Sequence, residues 1–137
     1  MPVDLSLVDA AAQLTFAVHE VLTRAAAELG LSVTQLRMLG ILRDRTPTMA
    51  SLADQLALDR SSVSGLVDRA ATKGLVERAP SETDRRVVTV GLTAAGREAA
   101  VRIEAVVEPR IEALLESASA ADQAALRRLA ATLPSAV

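Results

Sequence analysis

Apolar residues recur along this chain at helical spacing in six stretches, and at strand-like spacing in two short ones. The first helical stretch covers about residues 5–29, with Leu5, Val8, Ala12, Ala17, Val18, Val21 and Leu22 on one side and Gly30 as its stop. The second follows a cap at Ser32 or Thr34, runs through Leu36, Leu39, Ile41 and Leu42 to about Arg45, and breaks at Thr46-Pro47. Thr48 caps a third, with Leu52, Ala53 and Leu56 inward and Leu58 as its end. A fourth starts at the acidic cap Asp59, repeats Val63, Leu66, Val67 and Ala70, and closes at Lys73-Gly74. Val76–Ala79 and Val87–Val90 then read as two strands around a Pro80–Arg86 loop.

After the hairpin, Thr93 caps a fifth helix that reaches about Ser117. Pro109 is expected to kink or break it, because proline lacks the N–H a helix interior requires. A last helix covers about 120–133 with Leu126, Leu129 and Leu133. The expected fold is mainly α with a small β-hairpin, in one domain over residues 1–137. The terminal helices carry more apolar residues than a domain of this size hides, and such a surplus implies a partner.

Composition narrows the chemistry. With no cysteine, the chain has no disulfide framework and no thiolate zinc site. With one histidine, a histidine metal cluster within the chain is not expected either. No cofactor, metal or catalytic group is assigned: there is no nucleophile–base pairing and no glycine-rich phosphate loop. The N-terminus lacks the basic start and apolar run of a signal peptide, and no stretch is long and apolar enough to span a bilayer. A cytoplasmic protein is expected.

The net charge of −2 speaks at first against a polyanionic partner. Its distribution does not. Residues 55–97 carry seven basic and five acidic side chains, whereas 1–54 and 98–137 each carry four basic and six acidic. The fourth helix and the hairpin are thus the positive part of a negative chain, and binding follows the local field.

Opposite its apolar stripe the fourth helix presents Ser61, Ser64, Gly65, Asp68 and Thr72, flanked by Arg60, Ser62 and Arg69. Hydroxyls and guanidinium groups bond phosphate oxygens and base edges. The hairpin loop ends in Asp84-Arg85-Arg86, and a guanidinium at a hairpin tip can enter a narrow minor groove. Asp84, two residues before Arg86, is expected to pair with an arginine and orient it. The candidate DNA-binding residues are Arg60, Ser61, Ser62, Ser64, Arg69, Asp84, Arg85 and Arg86.

The segments LADQLALDRSSVSGLVDRAATKGLVER (52–78), DRR (84–86) and LTAAGRE (92–98) resemble the MarR family, winged helix-turn-helix regulators of the multiple-antibiotic-resistance type. The resemblance implies a recognition helix over 60–73, a wing whose Arg86 enters the minor groove with Asp84 as its partner, and terminal helices that form a dimer interface. It implies a DNA-binding lobe at about 34–92 and a dimerisation lobe at about 5–30 and 93–134. Many members release DNA when a small, often aromatic acid binds between the two lobes. Phe16, His19, Arg37 and Met38 are candidate liners, but the effector site stays unassigned, since residues like Phe16 and Met38 more often belong to a core and a lone histidine to a packed or interface position. Gly65 departs from the pattern, standing where many members have a larger polar or basic side chain. The missing cysteine sets the chain apart from the peroxide-sensing branch.

The expected function is a homodimeric, sequence-specific regulator of transcription, a repressor of a pseudo-palindromic double-stranded operator, released by a small-molecule effector. The alternative is a winged-helix module for protein–protein contact without DNA binding. That alternative gives no reason for Arg60, Arg69, Arg85 and Arg86 around one hydroxyl-lined face.

Overall fold

Serine, threonine and aspartate set the helix starts. A computed structural model describes residues 4–134; the outermost residues of the 1–137 domain, 1–3 and 135–137, lie outside the described residues. The elements are α1 (Leu7–Glu28), α2 (Val33–Leu42), α3 (Met49–Leu56), α4 (Arg60–Thr72), β1 (Val76–Pro80), β2 (Val88–Leu92), α5 (Ala94–Leu114) and α6 (Ala120–Thr132). Ser6, Ser32, Thr48, Asp59, Thr93 and Ser119 each accept a hydrogen bond from the backbone N–H three residues on. Each such cap answers an orphan donor and contributes about 0.5–2 kcal/mol. At Ser32 the Gln35 side chain returns the bond to the cap N–H, so α2 begins with a full capping box.

The core lies between α2, α3, α4 and the hairpin. Its largest fully buried side chains are Met38, Leu39, Leu52, Val63, Val67 and Val90. β1 and β2 pair antiparallel, with Val76 opposite Leu92 and Pro80 opposite Val88. The hairpin is fastened to the α2–α3 turn: Val90 donates its N–H to the Pro47 carbonyl at 2.9 Å, and Thr48 bridges Thr89. By contrast, α6 buries no residue and α1 buries only Ala25 and Ala26.

One junction holds several elements together. Gly74 ends α4 at φ 76°, and its carbonyl accepts from the Thr93 hydroxyl at 2.6 Å. The next carbonyl, Leu75, accepts from the Thr93 N–H at 3.1 Å. At Gly96, one turn into α5, an added Cβ would lie 1.9 Å from that same Leu75 oxygen. Only a residue without a side chain lets α5 approach so closely.

Several boundaries depart from the sequence reading. α2 stops at Leu42, not at about Arg45, and α3 at Leu56, not at Leu58. The α3 stop is set by Ala57, which takes left-handed φ 55° and ψ 42°, and nothing in its chemistry announces that conformation. β1 starts at Val76 as expected but runs one residue longer, because Pro80 still pairs with Val88, and β2 starts one residue later and ends two later, with Gly91–Leu92 completing the ladder. α5 runs unbroken through Pro109. The bond lost there is to the carbonyl of Ala105, and Ala105 is an exposed residue, where water can take the place of the missing N–H.

Gly96→Ala is expected to destabilise the fold by about 1–3 kcal/mol, as overpacking does. Gly40→Ala, a helical position whose Cβ would meet nothing within 4 Å, should leave stability unchanged or raise it slightly. Urea unfolding of both variants checks the contrast.

Candidate nucleic-acid interface

The amphipathic pattern of α4 decides what the site can present. Val63, Leu66, Val67 and Ala70 are buried, so the opposite side of the helix faces outward. Arg60, Ser61, Ser62, Asp68, Arg69 and Thr72 are exposed there and on its flanks. Asp59 fixes the entry: its carboxylate accepts from the Ser62 N–H at 2.7 Å and the Ser61 hydroxyl at 2.8 Å. The Ser62 backbone bond first, and the Ser61 hydroxyl after it, hold the Asp59 carboxyl below its ordinary range. The Ser61 hydroxyl thus spends its proton on the cap and is left with its oxygen as an acceptor.

Ser61, Ser62, Gly65 and Arg69 line a shallow polar depression together with Ser32 and Thr34. The start of α2 thus borders the outward face of α4, a neighbour the sequence reading did not assign. Gly65 leaves room for Arg69: a Cβ there would come within 3.2 Å of the guanidinium. Arg60 lies apart, beside Met49 and Ala50. Ser64 is not part of this group. It is half-buried on the flank facing β1, where its carbonyl accepts from Arg78 at 3.4 Å.

Arg78 is the residue the sequence reading missed. Its guanidinium meets the Asp68 carboxylate at 2.7 Å and so ties the wing stem to α4. The signal was present: strand alternation puts Arg78 on the same face as buried Val76, the face turned to α4.

The wing loop is built around Asp84. Ser81 donates its N–H to the Val87 carbonyl at 2.8 Å, and Val87 donates to Asp84 at 3.0 Å, closing a tight turn. The Asp84 carboxylate accepts the backbone N–H of Arg86 at 3.1 Å and its Nε at 3.2 Å, with Nη2 at 3.5 Å. The expected pairing of Asp84 is therefore with Arg86. The Arg86 side chain is nevertheless 91% exposed, so it is aimed without being covered. Arg85 is exposed beside it with no such tether.

The four candidate effector liners sit in different surroundings. Met38 is wholly buried in the core and Phe16 is exposed. His19 is exposed on α1, and Arg37 donates to the Gln55 carbonyl at 2.8 Å.

Residues 29–87 match the model of the MarR family. Apo wild-type MarR from E. coli superposes with a TM-score of 0.78 at 25% identity, over 95% of this chain and 98% of that one. The transcriptional regulator PA4135 does so with 0.79 at 26%, over 95% and 99%. In this segment and in its whole fold the chain is similar to the MarR family. A cysteine-to-serine mutant of E. coli MarR, solved in complex with operator DNA, shares the fold at a TM-score of 0.72 and 25% identity, over 95% of this chain and 100% of that one. No curated protein matches the chain by sequence. MarR-family proteins are transcription regulators, not enzymes, and this chain has their winged-helix fold. No helix among its described residues is long and apolar enough to cross a membrane.

The Asp84–Arg86 tether has a pH signature. The backbone N–H of Arg86 first, and its guanidinium second, hold the Asp84 carboxyl below its ordinary value. The tether is fully present above the ordinary carboxylate pKa of about 3.9 and is lost as pH falls through the lower folded value. Carboxyl carbon resonances should give Asp84 a midpoint below that of an unfolded aspartate, and Arg86→Ala should move it part of the way back.

Proposed function

We propose that this chain is a homodimeric, sequence-specific DNA-binding repressor acting in the cytoplasm, and that a small-molecule effector releases it from its operator. The observation that carries the DNA-binding part is the outward face of α4 with its exposed hydroxyls and arginines, accompanied by an exposed Arg86 held by its own aspartate. In this proposal Ser61, Ser62 and Arg69 contact the major groove and neighbouring phosphates, with Arg60 and Ser64 on the flank. Arg86 enters the minor groove, Asp84 aims it, and Arg85 meets the backbone.

Dimerisation is supported by the apolar surface of the outer helices. Leu7, Val8 and Phe16 on α1 are 88%, 77% and 71% exposed, and Leu129 and Leu133 at the other end are 61% and 68%. Water-facing apolar surface on this scale is ordinarily covered by a partner. In this proposal residues of about 5–30 and 93–134 form the dimer lobe and about 34–92 the DNA-binding lobe.

A two-fold dimer carries two recognition helices, so full affinity is expected to need two half-sites about one helical turn apart, roughly 10 bp or a multiple. The chain should sediment as a dimer at micromolar concentration. A monomer there, or a lone half-site bound as tightly as the pair, contradicts the proposal.

Arg86→Ala is expected to weaken operator binding more than any single serine change in α4. A serine hydroxyl trades one neutral hydrogen bond for another with water, a net of about 0.5–1.5 kcal/mol. A charge-assisted contact in a narrow groove is worth about 1.5–3 kcal/mol. One fewer phosphate neutralised also flattens the log–log salt dependence by about one unit. Titrations of wild type and variant at several salt concentrations check both; equal affinity with equal slope removes the wing from the mechanism.

A further inference from the structure

Between α2 and α5 lies an open groove of about 400 Å³. That volume is within the usual range of small-molecule sites. Its floor is aliphatic, made by Leu36, Ala100, Ile103, Val107 and Ile111. Gly40 leaves the α2 wall open, since a Cβ there would meet nothing within 4 Å. The rim is acidic: Glu104, Glu108 and Glu112 follow one another along α5 at every fourth residue. Arg43 stands at one end.

We infer that this groove binds a small amphipathic cation, its apolar body on the aliphatic floor and its ammonium or amidinium group between Glu108 and Glu112. The charge argument decides the class. Arg43 is the rim's own cation, and it is already engaged by Asp44 at 3.3 Å and Glu104 at 3.6 Å. Asp44 first, and Glu104 and Glu108 behind it, hold its guanidinium above its ordinary range. Glu108 and Glu112 have no ion-pair partner among the described residues. Arg127 shares the adjoining depression with Glu112 but makes no ion pair with it. Carboxylates stacked at i, i+4 repel one another, and a bound cation relieves that repulsion. A carboxylate ligand would meet two like charges and an arginine already neutralised. The inference deepens the effector part of the proposed function, and rests on it only for the release of DNA.

Three probes with one skeleton test it on the DNA-free full chain by calorimetric titration: phenylbutylamine, phenylbutanol and phenylbutyrate. The amine is expected to bind tightest and the butyrate weakest. Glu108→Gln and Glu112→Gln should each reduce the amine's advantage over the alcohol by about two- to fivefold, as for partly exposed charge pairs, and leave the alcohol's affinity unchanged. Gly40→Leu, which fills the open wall, should abolish binding of amine and alcohol while leaving the thermal transition in place. Butyrate binding as tightly as the amine, an advantage indifferent to both glutamine variants, or no binding of any probe would overturn the inference. So would a dimer that Gly40→Leu converts to monomer, because the groove would then belong to a second copy. Amine binding that leaves operator affinity unchanged upholds the ligand class and removes only the effector role.

Discussion

The close approach of α5 to the Leu75 carbonyl is the constraint on which the rest of the arrangement depends. Gly74 turns the chain out of α4, Leu75 starts it toward β1, and Thr93 and Gly96 bring the start of α5 back against that same backbone. The end of α4, both ends of the wing and the start of the long outer helix therefore meet within a few residues. A second fastening, Arg78 on Asp68, fixes the wing stem to the flank of α4. Helix face and wing tip can then be presented to one ligand as a unit, with little ordering left to be done on binding.

Two parts of the fold, the core and the outer helices, divide the physical work. The central one is closed: α2, α3, α4 and β2 supply its fully buried large side chains. Its outward groups are polar, and three of them have local carboxylate partners, the cap Asp59 for Ser61 and Ser62 and Asp84 for Arg86. An aspartate near a polyanion would ordinarily be unfavourable. Here each spends its charge on a backbone N–H, a hydroxyl or a guanidinium, so it orients donors and adds little bare negative field. The outer part is open, with apolar residues on α1 and α6 facing water.

Much of this was legible in the residues. The caps at Thr48, Asp59 and Thr93 follow from the chemistry of orphan N–H groups, and the buried stripe of α4 from its spacing. The Asp84–Arg86 pairing was legible because both partners lie in one short loop. What the sequence withheld depends on tertiary contact or unusual backbone. Ala57 takes a left-handed conformation that its side chain does not favour. Pro109 stands in an unbroken helix one turn after Ala105, an exposed residue that water can reach. Ser64 is half-buried, and its carbonyl accepts from Arg78 fourteen positions on, a contact that helical spacing does not announce. The α2–α5 groove pairs residues 57 or more positions apart, beyond the reach of local periodicity.

The central claim is that one face, made by α4 and the wing loop, reads double-stranded DNA. Backbone amide shifts of the full chain, recorded with a pseudo-palindromic operator and with a scrambled duplex of equal length, test it most directly. The largest operator-specific changes are expected at residues 60–69 and in the 81–87 loop, with α6 unmoved. Changes confined to α1 and α6, or the same changes with both duplexes, would contradict it.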